Sequence, residues 1–178
     1  IRLRGKFRNN RVALTAFQSR EESASFKKTS TTVSEQPFLP FRSFESDIGW
    51  RGLQLQDEWV WSDNASLMVG VDGERAESIS RSYNPDGTRK GPFAADNRRD
   101  TLGMYLENTW LWDKTAVTAG VRQDRITVKT LDTPFKTNFT PSATDFTTTN
   151  PSVGLKHEYA PGWRAHTTIG RGFVTPDA

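Results

Sequence analysis

Along most of the chain, apolar and polar residues alternate one by one, and the alternation folds back around four short polar clusters. A strand turns successive side chains to opposite faces, so a period of two predicts half-buried β-strands, not helices. The clusters are Asn9-Asn10, Ser62-Asp63-Asn64, Asp113-Lys114 and Ala160-Pro161-Gly162. Flanked by alternating residues, each reads as a tight hairpin connection. Between the hairpins lie long polar stretches, roughly Thr29 to Ser43, Asn84 to Arg99 and Leu131 to Thr149, rich in Ser, Thr, Pro, Gly, Asn and Asp. Short turns therefore alternate with long loops, about fifty residues separating one short turn from the next.

Parity tests this pattern, because a slip of one residue would invert every side chain. In the second hairpin the apolar set is Leu53, Leu55, Trp59 and Trp61, then Ala65, Leu67, Val69 and Val71, all odd-numbered as a three-residue loop requires. In the third, Leu102, Met104, Leu106, Trp110 and Trp112 give way to Val117, Ala119 and Val121, the even-to-odd switch of a two-residue loop. The first hairpin sets Phe7 opposite Val12 and Leu3 opposite Ala16 across Asn9-Asn10, whose Asn residues suit the positive φ of a type I′ turn. The fourth, Val153, Leu155 and Tyr159 against Trp163, Ala165, Thr167 and Ile169, fits a three-residue loop.

The opposite faces carry Gln54, Gln56, Glu58, Asp72, Glu74, Tyr105, Glu107, Arg122, Asp124, Lys156, Glu158, Arg164 and His166. The alternation holds over about ten residues per strand, the length of a tilted strand crossing a bilayer core. One face suits hydrocarbon and the other water. Two hairpins also match residue by residue, Leu55-x-Asp57-x-Trp59-x-Trp61 with Leu106-x-Asn108-x-Trp110-x-Trp112. Trp59, Trp61, Trp110 and Trp112, with Tyr159 and Trp163, gather beside the short turns, as a membrane-interface girdle does. The competing reading makes them core anchors of a water-soluble β-sandwich. Long loops confined to one end favour the girdle.

The composition narrows the choice. Of 178 residues, 34% are apolar and 25% charged, and no stretch is long and apolar enough for a spanning helix. Cysteine is absent, which removes disulfides, thiolate metal sites and cysteine nucleophiles. The 24 basic and 21 acidic residues are interleaved, a balance that does not point to nucleic acid.

The stretch Asn150-Pro151-Ser152-Val153-Gly154-Leu155-Lys156-His157-Glu158, then Trp163-Arg164-Ala165 and Ile169-Gly170-Arg171-Gly172-Phe173-Val174-Thr175-Pro176, resembles the mid-barrel signature of TonB-dependent outer-membrane receptors. Gly120-Val121-Arg122-Gln123-Asp124 resembles the strand that precedes it in that family. The resemblance spans Asp100 to Ala178, and the earlier hairpins join it by pattern. It implies an all-β, antiparallel up-and-down meander of about eight strands, against the twenty-two of the family's barrels. Residues 1–178 then read as an internal part of the barrel domain, without the plug domain or the closing strands. Alone, such a piece would form an open curved sheet whose unpaired edges invite self-association.

The implied function is uptake of a scarce, bulky ligand of the iron-siderophore, haem or cobalamin class across a bacterial outer membrane. The implied partners are outer-membrane lipid, that small-molecule ligand, and the TonB energy-coupling complex acting through the missing plug. Arg81, Tyr83, Arg89, Lys90, Phe93, Arg98 and Arg99 form a basic, partly aromatic loop cluster suited to an anionic ligand.

Catalysis finds no comparable support. His157 and His166, the two histidines, fall by parity on opposite faces of one hairpin and so share no metal. Glu74 and Asp124 read as ordinary solvated or ion-paired carboxylates rather than an acid/base pair. Tyr83-Asn84-Pro85-Asp86-Gly87-Thr88 lacks the spacing of a calcium loop and reads as a turn. No catalytic residue, metal or cofactor is expected. The rival functions are a soluble all-β module stacking sugars on its Trp residues, and a single-strand nucleic-acid binder. The second lacks the concentrated basic groove it needs.

Overall fold

The computed structural model describes residues 1–28 and 40–173, and in these every regular element is a strand. They are β1 (Arg2–Phe7), β2 (Asn10–Lys28), β3 (Pro40–Ser62), β4 (Ala65–Tyr83), β5 (Arg89–Lys90), β6 (Asn97–Trp112), β7 (Thr115–Thr130), β8 (Ser142–Ala160) and β9 (Trp163–Gly170). All belong to one antiparallel sheet in the order β1-β2-β3-β4-β6-β7-β8-β9, with the two-residue β5 paired to β4. Among the described residues the sheet is not closed; β1 and β9 are its edges.

The ladders carry the parity through the whole sheet. Leu55 faces both Leu14 and Val71, Val71 faces Met104, Leu106 faces Val121, and Val117 faces Leu155. Every one of these belongs to the apolar set, so the stripe is continuous across β2 to β8 on one face. The polar face takes the alternate positions. Among the described residues no second layer covers either side. Ala65 is the one buried hydrophobic residue among those described, while Leu53, Leu102, Met104 and Val153 are each about half exposed.

The turns refine the register. The first lies at Arg8-Asn9, not Asn9-Asn10: Arg8 takes the left-handed conformation (φ 50°), and Leu3 faces Leu14 while Phe7 faces Asn10. Asn10 is drawn into the ladder because its side-chain amide donates to Asp57 at 2.6 Å on the neighbouring strand. The shift moves each partner by two places, so the faces are unchanged. The second and fourth turns are tighter at the tip than three residues. Ser62 pairs with Ala65 and Ala160 with Trp163, and bulges at Trp61 and Tyr159 restore the expected parity one step later. Pro161 followed by Gly162 at φ 79° is the type II combination. Asp113-Lys114 is the two-residue turn expected, with Asp113 at φ 47°.

The larger correction concerns strand length. The alternation suggests about ten residues, yet β3 has 23 and β2, β4 and β8 have 19 each. Pro40–Arg42, Asn97–Arg99 and Ser142–Thr149, expected in long loops, pair in the sheet, with Ser43 bulged between paired residues. Hydrophobic periodicity marks only the part of a strand whose two faces differ in polarity. Beyond it both faces carry polar residues, and the ladder continues on backbone hydrogen bonds with cross-strand polar pairs such as Arg20 with Asp47 and Arg98 with Glu77. The remainder of the first long stretch, residues 29–39, lies outside the described residues, as do Val174, Thr175 and Pro176.

Candidate functional site

At the short-turn end, Trp59, Trp61, Trp110 and Trp112 all stand on the apolar face. Trp59 faces Leu67, Ala65 faces Trp110, and Trp110 stacks on Trp112 with ring centroids 6.5 Å apart. Tyr159 lies 6.4 Å from Trp163 at the adjacent turn. The two polar residues inside the repeated segment also point to this face, and each accepts one side-chain hydrogen bond, although Asp57 Oδ1 is buried without a partner among the described residues. Asp57 accepts from Asn10, and Asn108 accepts from Trp61 Nε1 at 3.0 Å. His157 faces Ala165 on the apolar side and His166 faces Lys156 on the other, so the imidazoles are separated by the sheet.

On the polar face, Arg122 anchors a network. Its Nη1 and Nη2 donate to the two oxygens of Asp72, both at 2.8 Å, and its Nε donates to Asp124 at 2.8 Å. The guanidinium also sits 5.8 Å from the centre of the Tyr105 ring, and Tyr105 donates to Gln56 at 3.3 Å. The backbone makes room for it. A Cβ at Gly103 would collide with Arg122, one at Gly70 with Tyr105, and one at Gly52 with Phe17. Bidentate pairing fixes these charges in place. Asp124 is thereby committed to Arg122, and Glu74 lies 3.5 Å from Arg99, so the two carboxylates have separate partners. Periodicity placed Arg122, Asp72 and Asp124 on the polar face, but their convergence depends on cross-strand register.

At the long-loop end, the seven residues of the basic, aromatic cluster do not converge. Arg81, Tyr83 and Arg98 continue the apolar face beyond the stripe, whereas Arg99 belongs to the polar face beside Glu74. Arg98 donates to Glu77 at 2.8 Å. Tyr83 donates to Glu45 at 2.6 Å, and Glu45 also pairs with Arg42. That shared hydrogen bond raises the Tyr83 hydroxyl pKa and lowers that of the Glu45 carboxyl. Lys90 pairs with Ser82, and Arg89 with Tyr83.

Arg89 and Phe93 instead join residues of the next loop. The Arg89 guanidinium lies 5.2 Å from the Phe135 ring centre. Lys136 Nζ donates to the Phe93 carbonyl at 2.8 Å and lies 5.8 Å from the Phe139 ring centre. A buried polar clasp holds the loops together: Asp96 N–H donates to Thr133 Oγ1, and Asp96 Oδ1 accepts from Ser80 N–H, each at 2.8 Å. Gly91 allows backbone to touch backbone, because a Cβ there would overlap the Phe135 carbonyl oxygen. Phe135 itself has φ 67°, a conformation costly for a bulky side chain. The Phe93 ring is 98% exposed. Sequence reading missed Phe135, Lys136 and Phe139, although Phe-Lys-x-x-Phe inside a polar stretch repeats the basic-aromatic composition of the preceding loop.

A family model described as "TonB dependent receptor-like, beta-barrel" matches residues 2–178. Two solved structures share the fold. The copper transporter OprC aligns with a TM-score of 0.62 at 19% identity, over 94% of this chain and 29% of its own. The FrpB iron transporter from Neisseria meningitidis (F5-1 variant, apoprotein form) aligns with a TM-score of 0.68 at 16% identity, over 93% of this chain and 27% of its own. No curated protein sequence matches. The chain thus spans less than a third of either transporter.

Proposed function

This chain belongs to the TonB-dependent receptor-like β-barrel family, and from that premise we propose that it serves as wall and loop surface of an outer-membrane importer of metal complexes. The observation that carries the reading is a sheet that, among the described residues, has no packed core and whose apolar stripe crosses every strand from β2 to β8 on one face. Leu53 to Trp61 is eight steps, roughly 26 Å along a strand at about 3.3 Å each. A strand tilt of about 40° reduces this to a height of roughly 20 Å, comparable to the lipid-facing band of such barrels. A soluble sugar-binding module would cover that stripe with a second layer.

In this reading the Trp and Tyr residues beside the short turns lie at a membrane interface, and the fixed Arg122 network lines the interior. The clasped loops present Arg89, Phe93 and Lys136 to an anionic metal complex. Iron and copper, the metals of the two related transporters, set the first candidates; haem and cobalamin are further ones. Energy coupling through TonB and a plug domain completes the cycle. The reading assigns no residue a catalytic role.

Reconstitution of the complete barrel in vesicles with brominated acyl chains tests the membrane placement. Fluorescence of Trp59 and Trp112 is expected to be quenched, and unchanged emission would defeat the reading. For the ligand, Arg89→Ala with Lys136→Ala is expected to weaken binding of ferric or cupric chelates about tenfold, read by titration calorimetry.

A further inference from the structure

The apolar stripe ends on the long-loop side in a row made of Leu53, Gly73 and Leu102, which face one another across β3, β4 and β6. The same row continues to Arg125 on β7. One step further along that face, Arg51 stands directly opposite Arg75. Like charges placed directly opposite on neighbouring strands destabilise a sheet unless something neutralises them.

Neutralisation here is incomplete. Arg75 uses its Nε on Asp100, and Arg125 reaches Asp145 only at 3.5 Å. Arg51 is exposed and has no ion pair among the described residues. Arg51, Arg75 and Arg125 line one shallow depression of about 700 Å³, which Glu74 and Asp100 also border, so basic residues outnumber acidic ones there by three to two. Its floor is open at Gly73, where a Cβ would find nothing nearer than the Thr101 carbonyl oxygen at 3.9 Å.

We propose that this notch binds one membrane lipid with a phosphorylated headgroup: an acyl chain lies over Gly73 between Leu53 and Leu102, and Arg51, Arg75 and Arg125 hold the phosphate. The placement matches the two parts of such a molecule. Hydrocarbon contacts leucine and bare glycine backbone within the stripe, while the anion meets guanidinium donors at its upper limit, where planar forks pair well with phosphate oxygens. A bound phosphate also relieves the opposed Arg51 and Arg75. The inference rests on the membrane placement proposed above, but adds a specific headgroup and position.

Native mass spectrometry of the complete barrel, released from a mild detergent, provides the test. Dioleoylphosphatidic acid is expected to be retained at one copy, and dioleoylglycerol, which lacks the phosphate, is not. Arg51→Gln with Arg125→Gln is expected to lower retention about tenfold, and Gly73→Leu, which fills the notch and leaves the charges intact, to do the same. Equal retention of dioleoylglycerol would overturn the proposal by showing apolar adsorption alone. Inorganic phosphate that competes fully in a Gly73→Leu barrel indistinguishable from wild type would overturn it by showing an anion site without a lipid. Thermal melting confirms that each variant is folded. If brominated chains quench the tryptophans and the lipid is not retained, this inference fails while the membrane placement stands.

Discussion

The two faces of the same strands are built by different rules. On the apolar face, Leu55, Val71, Met104, Leu106 and Val121 stand side by side, all partly exposed, and none needs a particular neighbour. On the polar face, large and small residues are matched in pairs: Phe17 covers Gly52, Tyr105 covers Gly70 and Arg122 covers Gly103. The first face is specified by the solvent it meets, so any residue of suitable hydropathy serves. The second is specified by partners, so shape and charge must agree across strands. Substitutions should therefore be judged by chemistry outside and by fit inside.

The sharpest separation comes from adjacent positions on β6. Leu106→Arg places a charge in the middle of the stripe and is expected to destabilise the barrel by about 2–4 kcal/mol. Glu107→Arg, one residue along and on the other face, is expected to stay within about 0.5 kcal/mol. Urea unfolding of the complete barrel in lipid vesicles measures both. Equal costs would mean that the faces are not distinguished by lipid.

The partner rule predicts non-additivity. Gly103→Ala drives a Cβ into the Arg122 side chain and is expected to cost about 1–3 kcal/mol, as overpacking does. In an Arg122→Ala background the same change should cost clearly less, because the nearest obstructing side chain is gone and only Asp124 Oδ1, 2.8 Å from the Cβ position, remains to be moved. Additive costs in that double-mutant cycle would remove Gly103 from the Arg122 network. A smaller effect, about 1 kcal/mol, is expected for Asn10→Ala, which takes the hydrogen-bond donor from Asp57 on the apolar face. Replacing Asp57 by Asn in the Asn10→Ala chain should recover part of it.

The same contrast explains what the sequence made legible. Alternation in Leu53-x-Leu55 and Val117-x-Ala119-x-Val121 reports solvent, and it gave the two faces correctly and the hairpins to within a shift at their tips, while the family was legible in the motifs of Asn150 to Pro176. It could not report partners. The Arg122, Asp72 and Asp124 cluster depends on a register spanning β4, β6 and β7, and the Lys136 to Phe93 contact joins two loops that no periodicity connects. Charge composition grouped Arg98 with Arg99, yet consecutive strand residues cannot share a face. Strand length was hidden for a related reason. Where both faces carry polar residues, Thr144 and Thr147 can pair in a ladder without leaving an alternating signature.

The smallest expected effect lies outside both faces, in the Asn84 to Thr88 turn, where local hydrogen bonds replace the sheet. Asp86 Oδ1 accepts from both the Thr88 backbone N–H, at 2.9 Å, and the Thr88 hydroxyl, at 2.6 Å. The Thr88 hydroxyl contributes most to lowering the Asp86 pKa below its ordinary value, and the backbone bond adds to it. A carboxyl whose pKa is lower folded than unfolded stabilises the folded form above the unfolded value, about 3.9 for Asp. That contribution fades as pH falls through the folded value. Amide exchange at Thr88 should therefore be slowest, relative to an unstructured reference peptide, above about pH 4 and lose protection in more acid solution. Thr88→Ala removes the hydroxyl donor and should move that loss to higher pH, toward the ordinary carboxylate value. Because Asp86 is fully exposed, global unfolding should be nearly insensitive to the change. A large shift in barrel stability would show that this turn is coupled to the sheet more strongly than its local hydrogen bonds account for.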